Sequence, residues 1–464
     1  MEILNISKIL HGQPPLGEIP GKKQIVKRTI QIAWPSILES FLVSLVSFID
    51  TIMVSTLGKE AIAAVGLTTQ PKFIGLALFL SLNVAVSALV ARRKGQEDRE
   101  NANRVLVQAI TIVLVLTVVV SIACVAFADP ILRMAGSAED THNDAVAYFR
   151  IIMGGIFFNV MSLVINAAQR GAGNTKIAMK TNLVSNGVNI VFNYLLIGGN
   201  LGFPKLGVSG AAIATVLGTV CAFAMSLYSV TRHTDRFLCL RIYHKLGFDR
   251  PTMSAIVNIG SSTLAEQIFL RIGFLTYAII VANLGTTAFA AHQVGMNIMN
   301  LSFSLGDGLS VAAVALVGQS LGAKREDLAR IYGGVCQRIG IFFACIMSII
   351  FICFGRYIFM LFSNEQEILD YGEMIMDLLT VVVFFQITQV IFSGCLRGAG
   401  DTRYTAFVSL ISVAFIRPFF GWLFCYPLAL GLFGAWLGLA GDQFMRFILT
   451  WIRFRSGKWT KIKI

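Results

Sequence analysis

Long apolar runs alternate with short polar breaks along the chain of 464 residues. Runs such as 105–128 and 206–227 exceed the ~18 residues that a helix needs to cross a bilayer. Twelve such runs are predicted, at about 30–57, 71–91, 104–128, 145–168, 179–199, 206–230, 254–284, 291–318, 333–355, 372–395, 404–427 and 430–452. A crossing with its connector takes ~35–40 residues, so twelve fill the chain and leave no room for a separate soluble domain. The predicted fold class is all-α and polytopic. Composition agrees: 56% of residues are hydrophobic and 14% charged, against about a quarter charged in soluble domains.

Net charge is +13, which in a soluble protein would suggest nucleic acid. Position changes that reading. Of 38 Lys and Arg residues, 29 fall in the N-tail, the C-tail and the loops after even-numbered spans. Five (Lys59, Lys72, Arg133, Lys205, Arg356) fall in odd loops, and Arg150, Arg271, Arg417 and Arg446 inside spans. This asymmetry predicts cytoplasmic termini and even loops, so the charge is mainly a topology signal and no nucleic-acid partner is expected. The eight cysteines form no C-x-x-C pair and read as packing residues. The Pro-rich N-terminus is not expected to be a cleaved signal peptide.

The chain also repeats itself. Arg170-Gly-Ala-Gly-Asn-Thr-Lys176 returns as Arg397-Gly-Ala-Gly-Asp-Thr-Arg403, an offset of 227 residues. The same offset relates Leu57-Gly58 to Leu284-Gly285, Phe157-Phe158 to Phe384-Phe385, and Glu39 to Glu266; near the end it slips to 224. The halves are therefore homologous, with six spans each. Because six is even, they enter the membrane in the same orientation, related by a pseudo-two-fold along the membrane normal. The expected organisation is a cytoplasmic N-tail 1–29, an N-lobe 30–231, a cytoplasmic linker 232–252, a C-lobe 253–454 and a basic C-tail 455–464. Two lobes about a cleft suit alternating access. Gly17-x-x-x-Gly21-Lys22 lacks the spacing and the Ser/Thr of a phosphate-binding loop, so ATP-driven pumping is not expected.

Ionisable groups within spans cost at least ~2.5–3.5 kcal/mol each and need a reason. Glu39 and Asp50 share one face of the first span, ~16 Å apart, and point either to a polar cavity or to two carboxylates wetted at the interfaces near the span's ends. At the equivalent places span seven has Glu266 and Tyr277, so coupling chemistry through Asp50 would belong to the N-lobe. Asp442 and Arg446 stand one turn apart and read as a structural pair. Arg271 and Arg417 are expected to counter Glu266, Asp307 or Asp377. Asn182, Asn186, Asn189 and Asn193 form one helical stripe, suited either to interhelical hydrogen bonds or to a cavity wall.

These residues resemble the MATE (multidrug and toxic compound extrusion) transporters over nearly the whole chain. The most specific parts are Pro35 with the downstream Asp50-Thr-Ile-Met-Val-x-x-Leu-Gly58, and the paired Arg-Gly-Ala-Gly motifs. Asn189-Ile-Val-Phe-Asn193 and Gly207-Val-Ser-Gly-Ala-Ala-Ile-Ala-Thr215 add to it. The resemblance implies an antiporter of two six-helix lobes, expelling small organic cations or amphipathic drugs against inward Na⁺ or H⁺. By it, Asp50, Asn189, Asn193 and Thr215 form the cation-coupling site, with Asn193 a departure where many members have Asp. It adds Glu266 and Asp401 as functional acids and Pro35 as the point where the first helix bends; with Glu39, Asp50 and Asn186 from the polar faces of spans one and five, these acids are the expected substrate or cavity residues. Na⁺ is possible at Asp50, Asn189 and Thr215, as a hard cation wanting several oxygens. A buried carboxylate could carry a proton instead. No cofactor is expected, and the setting is a bacterial inner membrane with a monomeric protein in the lipid bilayer. A lipid-linked precursor flippase of the wider superfamily is the alternative; it would favour a more basic cavity than one with seven acids against four arginines in the spans. A membrane-embedded enzyme would need a metal cluster or a His/Cys constellation, which five scattered histidines do not supply. His292, at the start of span eight, reads as an interfacial hydrogen-bonder.

Overall fold

A computed structural model describes residues 9, 14–137, 139–232, 237–240, 249–362, 365–462 and 464. Arg236, Arg241 and Lys245 of the expected linker lie outside the described residues. The described residues contain helices and connecting loops, with no strand. The first half supplies α1 (Lys22–Ser55), α2 (Lys59–Gly95), α3 (Arg99–Ala126), a short α4 (Ala128–Met134), α5 (Glu139–Gly154), α6 (Ile156–Gly171), α7 (Thr175–Gly198) and α8 (Gly207–Thr231). The second supplies α9 (Arg250–Ala282), α10 (Thr286–Gly322), α11 (Glu326–Met360), α12 (Gln366–Ala399), α13 (Thr402–Ser409), α14 (Arg417–Cys425) and α15 (Gly431–Ser456).

Among the described residues nine helices are long and apolar enough to cross a bilayer, with the stretch through α13 and α14 counted as one; α5 and α6, bent by 46°, form a tenth span. The remaining two of the twelve are α7, of 24 residues, and α15, of 26. Asparagines in α7 and Asp442, Arg446, Arg453 and Arg455 in α15 make these helices more polar. The outer face of α3 exposes Val115, Val118, Val119 and Ile122, as a lipid-facing helix does, since lipid tails impose no hydrophobic penalty.

The helices outrun the apolar runs. α1 starts at Lys22 rather than 30 and α2 at Lys59 rather than 71. Lys59 and Lys72, assigned from the sequence to the loop after the first span, are thus helical. The apolar run begins at Pro71, but a proline lacks only its own N–H, and the helix continues through it. The described tails are also docked. The Leu16 N–H donates to Asp327 Oδ2 at 3.2 Å, and Trp459 is fully buried, stacked on Phe454 at 5.1 Å. The linker's Phe237 accepts from Arg99 and Asn103 at the start of α3. Asp98 caps that helix by accepting from the Asn101 N–H at 3.0 Å. Partial burial works against its charge, but bonds from Asn101 and the nearby Arg93 and Arg104 hold its carboxyl below the usual range.

The chain forms two compact units, Leu38–Gly260 and Met1–Ile37 with Ser261–Ile464. One boundary falls inside α1, two residues past Pro35, and the other inside α9. Within each unit the same packing recurs: α2 lies on α6 and α7 on α8, as α10 lies on α12 and α14 on α15. The repeated motif explains the first of these. A Cβ at Gly171 would stand 2.4 Å from the Ser87 carbonyl oxygen, and one at Gly398 would stand 2.6 Å from that of Val314. Ser87 and Val314 are themselves 227 residues apart. Only glycine lets the two backbones approach so closely. The motif's second glycines, Gly173 and Gly400, take φ of 88° and 86° to turn the chain into the next helix.

Gly171→Val and Gly398→Val should each destabilise the protein by about 1–3 kcal/mol or more through overpacking against backbone that cannot yield. Thermal unfolding of the detergent-solubilised protein, followed by its monodisperse fraction, would show it. Gly136→Val, at a glycine with open space around it but φ of 88°, should act through strain and cost less.

Candidate functional site

In the unit Leu38–Gly260, three helices bring one acid and its neutral partners together. The second half of α1 carries Asp50, α7 carries Asn189 and Asn193 one turn apart, and α8 carries Thr215. The Asn193 amide donates to Asp50 Oδ1 at 2.8 Å. The amide of Asn189 is satisfied with its nitrogen toward Asp50, 2.8 Å from Oδ1, and its oxygen 3.1 Å from Thr215 Oγ1; turned the other way, its oxygen would face the carboxylate. Asn193 is nearly fully buried, and its Oδ1 has no hydrogen-bond partner among the described residues. Asp50 is therefore held by amides, with an unsatisfied oxygen beside it. The Asp50 carboxylate and the unengaged Asn193 Oδ1 are oxygen donors of the kind that a hard monovalent cation or a proton takes.

A small cleft of about 30 Å³ opens beside this cluster, lined by Thr215, Thr219, Asn159, Ile156, Leu76 and Lys72 among others. Lys72 was not singled out from the sequence, where it was counted with the basic residues of the loop after the first span. A basic residue following a proline at the edge of an apolar run, on a helix longer than that run, was the available signal.

The other candidates sit elsewhere. Glu39, on the same helix as Asp50, closes onto Arg170 and Asn182 and is almost fully buried. Glu266 closes onto Arg397 and accepts from Thr405 Oγ1 at 2.9 Å. Each pair joins residues 131 apart, so one guanidinium–carboxylate bond is made twice. Asp401 pairs with Arg453 at 2.7 Å where α13 begins. Asn186 is half-buried on the α7 stripe, between the Glu39 and Asp50 clusters. Pro35 lies inside α1, where the Gln31 carbonyl loses its intrahelical donor.

Two expectations change in the unit that contains the second half. Arg417 faces Asp442, not Glu266, Asp307 or Asp377; its Nη2 and Nε donate at 2.6 and 2.9 Å, and Arg446 joins at 2.9 Å. A π-helical stretch, Leu410–Ile416, precedes Arg417 and adds a residue per turn, a register that sequence periodicity does not reveal. His292 is buried rather than interfacial, edge-on to Tyr277 at 5.5 Å and Trp436 at 5.7 Å. Its helix begins at Thr286, which carries the ring inward.

Duplicated bundles of membrane-crossing helices, one of them enclosing a lone acid in an amide cradle, define a polytopic transporter-like membrane protein. The family pattern described as MatE matches residues 35–195 and 263–423, one copy per half, and the chain belongs to that family of multi-pass membrane transporters. A relative described as "Probable multidrug resistance protein NorM", from Thermotoga maritima, is 28% identical over 96% of this chain and 95% of its own length. A protein of the same description from Bacillus licheniformis is 27% identical over 90% of this chain and 92% of its own. A solved structure described as "Crystal structure of MATE in complex with MaL6" superposes with a TM-score of 0.86 at 24% identity, covering 94% of this chain and 97% of that one. At that identity the likeness speaks for the fold.

Arg397→Ala should leave Glu266 buried without its counter-charge and cost about 3–5 kcal/mol. Thermal unfolding checks this, and combining it with Glu266→Gln should recover most of the loss.

Proposed function

We propose that the protein is a secondary active antiporter that exports cationic or amphipathic organic compounds in exchange for inward Na⁺ or H⁺. The observation that carries this reading is the setting of Asp50. Glu39, Glu266, Asp401 and Asp442 each close onto an arginine, whereas Asp50 is bound by the amides of Asn189 and Asn193. Neutralised acids hold helices together; an acid with neutral partners can exchange a cation. One carboxylate balances one monovalent charge, and the site would face the two sides of the membrane in turn as the protein alternates between states. The NorM-type relatives, described as multidrug resistance proteins, favour organic drugs as cargo. Partly apolar walls (Leu76, Ile152, Ile156, Val216) with few polar groups suit amphipathic compounds of varied shape. In this reading the chain is a non-enzyme that needs no cofactor. It resides as a monomer in a bacterial inner membrane, with both termini cytoplasmic.

Asp50→Asn removes the exchangeable charge while keeping the size of the side chain. Drug efflux by cells or proteoliposomes should fall to near background, about tenfold or more below wild type, if one pK unit or more of cation stabilisation is lost. Efflux undiminished in this variant would sink the coupling role. Imposing Na⁺ and H⁺ gradients separately on proteoliposomes identifies the ion.

A further inference from the structure

Lys72 stands out once the site is assembled. Its side chain lines the same cleft as Thr215, which meets Asn189, which meets Asp50. Its positive charge and the Asp50 carboxylate act on each other. Among the described residues, however, it has no hydrogen-bond partner and no carboxylate within 4.0 Å. Its Nζ lies 5.7 Å from the centre of the Phe73 ring, a cation–π contact weaker than an ion pair. An ammonium held near a carboxylate, but not locked to it, is free to approach or to withdraw.

Asp50 and Lys72 together make the site neutral, because Asn193 supplies no second acid. A monovalent cation bound at Asp50 would then raise the site to +1 in a cleft with mainly apolar walls, which is costly at short range. Lys72 also follows Pro71 within α2. The missing proline N–H leaves the Leu67 carbonyl without its intrahelical donor and loosens the helix locally at that turn.

Building on the antiport reading, we infer that the Lys72 ammonium is a tethered cation that competes with the coupling cation for Asp50. The ion enters as Lys72 swings away, and Lys72 moves back toward the carboxylate as the ion leaves. Lys72 thereby sets the affinity of the site for free cations, and its length and charge matter more than its packing.

The test is Na⁺-dependent protection of the purified full-length protein against thermal unfolding, titrated against K⁺ at constant ionic strength. Four variants are compared with wild type: Lys72→Met, Lys72→Arg, Asp50→Asn, and Lys72→Met combined with Asp50→Asn. Removing the tethered charge should lower the half-saturating Na⁺ concentration about tenfold or more in Lys72→Met, the equivalent of one pK unit of charge interaction. Lys72→Arg should keep the wild-type midpoint. Both variants carrying Asp50→Asn should lose the saturable response. A Lys72→Met midpoint within about twofold of wild type, no response in Lys72→Met, or Lys72→Arg behaving like Lys72→Met would each overturn the inference. Efflux separates the two readings: if Asp50→Asn abolishes transport while Lys72→Met leaves the midpoint unmoved, the tether fails and the coupling role stands.

Discussion

One ion pair, made twice, is the interaction on which the architecture rests. Arg170 reaches Glu39 and Arg397 reaches Glu266 over the same separation of 131 residues. In each half the arginine closes the fourth span, and the acid lies in the first. Neither charge could stay in a membrane protein's interior alone, so each requires the other to be near. The glycine after each arginine lets the fourth span press against the second, and the next glycine turns the chain into the fifth. The motif is thus a joint: a charge to hold, a small residue to approach and a left-handed residue to turn.

With that joint shared, the differences between the halves carry the chemistry. At the positions equivalent to Asp50, Lys72, Asn189, Asn193 and Thr215, the second half has Tyr277, Met299, Ile416, Phe420 and Leu439. Tyr277 donates to the Ala435 carbonyl at 2.9 Å instead of holding a cation. The second half keeps charge too, but consumes it. Arg417 and Arg446 converge on Asp442, and the Arg417 guanidinium lies over the Phe274 and Tyr277 rings at 4.8 and 5.6 Å. That arrangement offers no free carboxylate. The amide-held acid belongs to the first half, where duplication left room for one copy to specialise while the other remained packed.

Much of this was legible along the chain. The twelve spans followed from apolar runs, because a lipid-facing backbone must satisfy its own hydrogen bonds and therefore be helical. The grouping of Asp50 with Asn189, Asn193 and Thr215 came from resemblance, and the three helices do bring those side chains together. Helix lengths were less legible, because a helix continues into water where hydropathy stops marking it. That is why Lys72 read as loop although it lines the cleft. The partner of Arg417 was illegible for another reason: the π-helical turn before it shifts the register by a residue, and nothing in the 3.6-residue period announces such a turn.

By itself the sequence determined the membrane class, the duplication, the expected orientation and the types of residue available for chemistry, since each depends on local composition or on self-comparison. The tertiary structure decided which charges neutralise one another. Glu39 and Asp50 lie on one helix and share one side of it, yet the first is tied to Arg170 and the second is cradled by two amides. Their chemical fate is set by groups more than a hundred residues away. A carboxylate's role depends on which positive or neutral group packing brings within a few ångströms, and only folding in three dimensions selects that neighbour.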